Sequence, residues 1–432
     1  MSSTRRSKRT IGELPPIQSA SLQETWYRAA GRGQWKTLLA AQAGWMLDGM
    51  DVMLYAFALT AIQREFGLTA VIAGSLASLT LLTSAFGGAL AGYLADRYGR
   101  AHILIYSILV YSVFTGFTAT ARTVWELALW RALVGFGLGA EWSAGSVLVA
   151  ETWPAEHRGK AIGLVQSGWA IGYILAALLA AAILPGYGWR PLFVVGTFPA
   201  LLTLWIRRAV HEPAIWIQSG TLSQGRPHAV PWRDIGRPPL LKRTVLATLL
   251  ATSLLFAYWG LFTWIPTFLS SPVAKGGAGL TLVKSTAWII PVQIGAFLGY
   301  NLFGVLADRF GRRPVLLLFV LGAAGSVPLY GLAGANAALL LALGPLIGFF
   351  GHGYFSVFGA LLAELFPSTI RATAQGICYN TGRGISALAP SLIGAISERQ
   401  GIGAALACTS AFFLLGGVII LFLPETRGGV LE

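Results

Sequence analysis

The stretch GWMLDGMDVMLYAF, Gly44 to Phe57, is apolar except for two carboxylates, Asp48 and Asp51, and no lysine or arginine lies within ten residues of either. Three residues apart, the two acids share one face of a helix. Carboxylates held this close where water is scarce favour keeping a proton rather than two negative charges. They are therefore candidate proton-coupling groups. Glu141, in WRALVGFGLGAEW, is a third acid in an otherwise apolar run. The alternative for Glu141 is a packing hydrogen bond to a neighbouring helix.

Two arginines accompany these acids. Arg131 precedes Glu141 by ten residues on the same helix, and Arg383 stands in CYNTGRGISALAP between Gly382 and Gly384. Arginine stays charged and grips a carboxylate through two parallel hydrogen bonds, so Arg383 is a candidate anion site. Arg131 is either a second substrate contact or the fixed partner of Asp51. An ionisable residue inside a membrane is costly and points to function with a nameable partner; the competing reading is that such pairs only hold helices together.

These side chains need a membrane to be buried in, and the composition supplies one. The chain of 432 residues is 55% hydrophobic and 11% charged, against about 25% charged in soluble domains. Uncharged runs cover 66–95, 161–189, 191–206, 244–274 and 314–363, and a crossing helix needs roughly 20 apolar residues. The pattern predicts twelve spans near 36–63, 70–94, 102–120, 124–150, 160–184, 189–208, 243–270, 282–306, 314–332, 337–364, 371–397 and 402–423. At 1.5 Å per residue, Asp48 and Asp51 lie roughly 18 to 23 Å into span 1 and Arg383 about 18 Å into span 11, near the bilayer midplane.

The net charge of +14 is unevenly placed. The N-terminus and even-numbered loops carry 23 Lys and Arg, the odd-numbered loops 6. This asymmetry predicts a multi-pass protein of the cell membrane with both termini cytoplasmic. It gives no basic folded domain for nucleic acid. MSSTRRSKRT is followed by polar residues rather than an apolar leader core, so an uncleaved tail is expected. No G-x-x-x-x-G-K-[ST] loop for ATP occurs, and GFFGHG (Gly348 to Gly353) lies in an apolar span, where close helix packing accounts for it. The five histidines show no metal spacing, and no cofactor is expected beyond a proton gradient as driving ion. Cys378 and Cys408 both read as buried packing residues.

Two motifs occur twice. GYLADRYGR (Gly92 to Arg100) matches GVLADRFGR (Gly304 to Arg312) at an offset of 212, and ETWPAEHRGKAIG (Glu151 to Gly163) shares E-x-x-P-x-x-x-R-x-x-A-x-G with ELFPSTIRATAQG (Glu364 to Gly376) at 213. The chain thus divides into a tail (1–35), a six-helix half (36–208), a central loop (209–242), a second half (243–423) and a short tail (424–432). Parallel halves place a substrate site between them. Gly88, Gly92, Gly299 and Gly304 are expected to let helices approach closely.

Both doubled motifs resemble the major facilitator superfamily over essentially the whole chain after residue 35. LDGMD, GFGLGAEW and SGWAIGY are similar to the sialate and monocarboxylate proton symporters, and the D-G-x-D element also resembles the aromatic-acid proton symporters. The resemblance implies an all-α integral membrane fold of twelve helices in two pseudo-symmetric halves, and a monomer. It also implies that Asp96, Arg97, Arg100, Asp308, Arg309, Arg312, Glu151, Arg158, Glu364 and Arg371 set the balance between inward-open and outward-open states without touching substrate.

Polar and aromatic residues at matching depth complete the candidate cavity. Gln166 and Ser167 correspond to Tyr379 and Asn380 through the offset of 213; Tyr55, Trp259, Gln293 and Asn301 are further candidates, with Tyr258, Trp264 and His352 behind them. Pro266 is expected to bend span 7. The expected activity is proton-coupled uptake of a small organic anion, such as a lactate-like, sialic or aromatic monocarboxylate, by alternating access. The rivals are a proton-driven efflux pump or a uniporter for neutral or cationic solutes, and a transporter-like receptor. No nucleophile-base or metal constellation suggests an enzyme.

Overall fold

The computed structural model describes residues 31–153, 158–209, 238, 240–366 and 371–426. The described chain is helical, and eight of its helices are long and apolar enough to cross a membrane. Spans 1 to 5 are single helices: Arg32–Phe66, Ala70–Tyr98, Arg100–Thr118, Val124–Thr152 and Arg158–Tyr187. Spans 8 and 9 are likewise continuous, Leu282–Phe310 and Arg312–Leu332. The other five are broken: span 6 into Trp189–Val195 and Pro199–Ala209, span 7 into Leu240–Phe262 and Ile265–Ser270, span 10 into Ala337–Gly353 and Phe355–Glu364, span 11 into Arg371–Ser386 and Ala389–Gln400, and span 12 into Ile402–Cys408 and Ser410–Leu421. Span 7 breaks at Thr263–Trp264, with Pro266 in the first turn of the following helix, where its missing N–H leaves nothing unsatisfied.

Glycine sets the spacing of helices inside each half. A Cβ on Gly135 of span 4 would stand 2.1 Å from the Thr80 carbonyl of span 2, and one on Gly348 of span 10 would stand 1.7 Å from the Val292 carbonyl of span 8. Gly87 against Phe136 and Gly299 against Phe349 repeat the same contact at 2.1 and 2.4 Å. Each pair is related by the offset that relates the doubled motifs, so the sequence repeat is a packing repeat. Gly88 behaves as expected, 2.8 Å from the Gly139 carbonyl, whereas Gly304 meets nothing within 4 Å and is not a packing glycine. Gly92 lies outside the described side chains. Gly348 makes the GFFGHG run a close helix contact. Cys378 is buried, but Cys408 is exposed, because the phase of the short helix Ile402–Cys408 turns it outward.

The turns joining spans 2 to 3 and 8 to 9 also repeat. Gly99 and Gly311 adopt φ of 105° and 102°, a region that L side chains rarely enter. At the second turn the Glu425 carboxylate accepts from the backbone N–H groups of Arg312 and Arg313, at 2.9 and 3.1 Å, which caps the start of span 9. On the opposite face, where the odd-numbered loops lie, Glu65 at the end of span 1 pairs with Arg190 at 2.6 Å and accepts from the Trp189 indole at 2.6 Å. Arg190 also donates to the Ala121 carbonyl at 2.9 Å, which ties spans 1 and 6 to the loop after span 3.

The halves meet along two seams, span 5 against span 8 and span 2 against span 11. At the odd-loop end the second seam is tight. A Cβ on Gly74 would fall 2.5 Å from the Pro390 carbonyl, and one on Gly394 would fall 2.6 Å from the Ala70 carbonyl. Ser391 hydrogen-bonds Ser78 at 2.8 Å and Ser75 at 3.2 Å, and Val71 N–H donates to the Glu398 carboxylate at 3.0 Å. This end of the pathway is closed.

If the seam must part during turnover, a cross-link will stop it. In a chain with Cys378 and Cys408 replaced by Ala, a Ser78→Cys/Ser391→Cys pair is expected to oxidise to a disulfide and lower transport at least ten-fold, with recovery on reduction. Unchanged transport by a demonstrably cross-linked protein would contradict a moving seam.

Candidate functional site

Span 1 carries both central acids because its helix is uninterrupted where it passes between the halves. Asp48 is 1% exposed and Asp51 0%. Their surroundings differ. Asp51 accepts a hydrogen bond from the Thr115 hydroxyl of span 3 and lies 4.0 Å from Arg131 Nη1 of span 4. The Arg131 guanidinium, 1% exposed, also sits 4.8 Å from the centre of the Tyr55 ring. Every one of these partners belongs to the N-terminal half. Of the two alternatives for Arg131, it is therefore at least the partner of Asp51.

Asp48 has no hydrogen-bond partner at either carboxylate oxygen. In the other half, Tyr379 and Arg383 of span 11 line a cavity that Trp45, on the same span as Asp48, also lines. Arg383 is 6% exposed, and its Nε has no hydrogen-bond partner.

Arg383 and Trp259 together separate two cavities, each with about 410 Å³ of empty volume when space open toward solvent is included. One lies among spans 1, 2, 4, 7 and 11 and is lined by Val52, Met53, Tyr55, Ala56, Ala77, Thr80, Leu81, Ser84, Arg131, Leu138 and Thr263 besides the shared pair. The other lies among spans 1, 5, 7, 8, 10 and 11 and is mostly aromatic: Trp45, Trp169, Tyr258, Tyr300, Phe355 and Tyr379 join Trp259, with Gln166 and Leu255. Rings continue across the halves, Trp45 to Trp169 at 4.9 Å and Trp169 to Trp259 edge-to-face at 6.0 Å. Edge-to-face packing sets the positive ring edge against a π face, which holds these side chains in fixed orientations. His352, fully buried at the break in span 10, packs on Phe262 and Tyr258 behind this wall, at 4.0 and 5.1 Å.

The structure thus gathers Asp48, Asp51, Arg131, Arg383, Tyr55, Trp259, Gln166 and Tyr379 around one centre. Asn380 is partly buried beside Gly88 at the span 2 seam rather than in a cavity wall. Two expected substrate contacts fall elsewhere. Asn301 is exposed and donates to the Phe297 carbonyl of its own helix at 2.8 Å, because its position on span 8 turns it away from the interface. Gln293 is fully buried, with no partner for either end of its amide, and lines neither cavity. Trp264 donates to the Pro390 carbonyl at 3.0 Å and serves the closed seam. Sequence reading passed over Thr115, Trp45 and Trp169; only the depth of Thr115 in span 3 and the tryptophan spacing could have flagged them.

Of the residues expected to govern gating, Arg309 is exposed, 5.3 Å from the Phe310 ring centre, and Arg312 starts span 9 under the Glu425 cap. The side chains of Asp96, Arg97, Arg100, Asp308, Glu151, Arg158, Glu364 and Arg371 lie outside the described residues, as does that of Glu141. Among the described residues no cluster of His, Cys, Asp or Glu could hold a metal ion.

The Thr115 hydroxyl is expected to matter for stability. Thr115→Val leaves the buried Asp51 carboxylate one donor short, a loss of about 1–3 kcal/mol, which should lower the melting temperature in detergent, while Thr115→Ser should melt like the parent.

Comparison with known proteins identifies the architecture. Residues 43–299 and 285–430 match the Major Facilitator Superfamily. A cis,cis-muconate transport protein of Acinetobacter baylyi is 33% identical over 403 residues, 92% of this chain and 96% of that protein. A sialic acid transporter of Escherichia coli is 30% identical over 393 residues, 90% of this chain and 93% of that one. Among solved structures, the xylose transporter XylE of E. coli superposes with a TM-score of 0.75 at 21% identity, covering 93% of this chain and 100% of that chain. With two family matches that together cover residues 43–430, membrane-crossing helices and relatives that are transporters of organic acids, the chain is a multi-pass membrane transporter and belongs to the Major Facilitator Superfamily.

Proposed function

We propose that this transporter takes up a small organic anion together with protons, with Arg383 as the anion site and Asp48 as the coupling acid. The observation that carries the reading is the burial of Asp48 on span 1 and Arg383 on span 11, in opposite halves, each with hydrogen-bonding atoms to spare. The relatives named for muconate and sialic acid support an organic acid as cargo.

The physics is a competition. With the site empty, Arg383 is the cation that makes a charged Asp48 tolerable in a poorly solvated place. A substrate carboxylate that forks onto Arg383 takes that compensation away. Asp48 then holds a proton, so proton and anion load together and the centre gains no net charge. A cluster without uncompensated charge is the one that can be carried through the occluded state, since an isolated buried charge costs several kcal/mol. Asp51, held by Thr115 and Arg131 within one half, is a positioning group in this scheme. The charge asymmetry of the loops sets the closed seam of spans 2 and 11 on the outer face, so loading begins when that seam parts.

The scheme separates coupling from binding. In proteoliposomes, Asp48→Asn should abolish gradient-driven accumulation of a transported carboxylate yet retain exchange of labelled for unlabelled substrate. Arg383→Gln should lose both by at least ten-fold. Accumulation that persists in Asp48→Asn would remove Asp48 from the coupling role, and carboxylate flux unaffected by Arg383→Gln would overturn the anion reading and favour a neutral or cationic solute.

A further inference from the structure

We infer that Tyr173 is a positioning residue of the transport cycle: its hydroxyl, carried by the N-terminal half, takes up the backbone carbonyl that Pro266 leaves unpaired in span 7 of the C-terminal half, and so favours the form closed at the odd-loop end. The lock acts whatever solute the cavities hold, and so stands apart from the anion-symport reading.

An α-helix pairs each carbonyl with the N–H four residues on. The partner due to the Phe262 carbonyl is the N–H of residue 266, and proline has none. Span 7 accordingly stops at Phe262 and resumes at Ile265. A carbonyl abandoned inside a membrane is costly unless another donor serves it. Here that donor is the Tyr173 hydroxyl of span 5, 3.1 Å away. Tyr173 and Phe262 are both 0% exposed, which leaves the carbonyl no route to solvent in this form.

Donor and acceptor are each fixed to their own half. A Cβ on Gly172 would fall 1.8 Å from the Met46 carbonyl, so span 5 beside Tyr173 lies backbone against backbone on span 1. The Tyr173 ring meets Phe57 of span 1 edge-to-face at 5.8 Å. On the other side, the Phe262 ring packs on His352 of span 10 at 4.0 Å and on Tyr258 at 4.8 Å. A movement of one half against the other therefore breaks this bond or bends span 7 at its break.

The break also touches the seam and the cavities. Trp264, two residues past Phe262, donates to the Pro390 carbonyl, the same carbonyl that Gly74 of span 2 approaches. Thr263, inside the break, lines the cavity that holds Arg131 and Arg383, and Trp259, about one turn before it, lines both cavities. Occupancy of the centre and closure of the seam thus bear on one two-residue elbow, and Tyr173 holds that elbow from the opposite half. When the odd-loop end opens, water can serve both the hydroxyl and the carbonyl. When it is closed, the Tyr173 hydroxyl serves Phe262, so the bond weights the closed form.

Thiol labelling of Thr267→Cys reads the opening. Thr267 is buried in the piece Ile265–Ser270, and its hydroxyl has no hydrogen-bond partner, so the substitution removes no bond. A maleimide reaches the thiol in proportion to the open fraction. The parent is the full chain in nanodiscs with Thr267→Cys and with Cys378 and Cys408 replaced by Ala. Adding Tyr173→Phe should speed labelling at least five-fold. Tyr354→Phe is the control: that hydroxyl also donates to a span 7 carbonyl, Leu254 at 3.2 Å, but within one half, and its loss should change the rate less than two-fold. Pro266→Ala returns an N–H to the Phe262 carbonyl, so in that background Tyr173→Phe should also change the rate less than two-fold. Labelling of Tyr173→Phe at the parent rate would overturn the lock, as would an equal acceleration by Tyr354→Phe, the sign of general loosening. A five-fold acceleration that persists beside Pro266→Ala would detach the hydroxyl from the Phe262 carbonyl and remove the proposed partner. Should Pro266→Ala not fold, the Tyr173→Phe and Tyr354→Phe rates still decide.

Discussion

Charge buried away from water must be answered by opposite charge or by donors, and the centre of this protein is arranged around that demand. Two unit charges about 4 Å apart interact by about 4 kcal/mol at an effective dielectric of 20, so the choice of partner decides which conformations are accessible. Asp51 has its partners, Thr115 and Arg131, inside its own half, and this pairing survives any movement of one half against the other. Asp48 and Arg383 belong to opposite halves, on spans 1 and 11, each buried with hydrogen-bonding atoms unpaired. What they feel changes whenever the halves move or a ligand arrives. Two acids one helical turn apart thus have different surroundings, one partnered within its half and one without a hydrogen-bond partner.

The duties can differ because each half holds its shape. The glycine contacts between spans 2 and 4, and again between spans 8 and 10, bring backbone against backbone with no side chain to yield. Interiors packed in this way switch between discrete arrangements rather than deform continuously. Movement is therefore concentrated at the seams between halves, which are where the cavities and the unsatisfied guanidinium donors lie.

Much of this was legible in the sequence, and what was not has a common cause. The spans follow from apolar run length, the two halves from repeated motifs, and the central ionisable groups from their isolation in apolar segments. Helix phase and helix pairing are harder. Asn301 has the right depth but the wrong rotation, and Gln293 is buried in packing away from both cavities. Which acid pairs with which arginine depends on the crossing of spans 1, 3, 4 and 11, which no local pattern encodes. The breaks in spans 6, 7 and 11 carry a proline in the first turn after the break, Pro199, Pro266 and Pro390, whereas those in spans 10 and 12 have none at the break itself and left no local sign. One further signal was available. Through the offset of 213, Arg383 corresponds to Ala170 and Arg131 to Gly344. Packing glycines keep the repeat while the chemistry departs from it, so asymmetry between aligned halves marks the site.

The closed seam of spans 2 and 11 is held by three serine hydroxyls, a backbone N–H on a glutamate, and glycines against carbonyls. Trp264, which donates to the Pro390 carbonyl, is the bulky group engaged with them. When the seam opens, water can replace each hydrogen bond nearly one for one, since protein and water partners are close to equivalent in net free energy. The closed and open forms can then lie within a few kcal/mol of each other, and a ligand with modest differential affinity can invert their ratio. A latch made of hydroxyls and glycines suits a carrier that must release its hold on every cycle, where a greasy interface of the same area would stay shut.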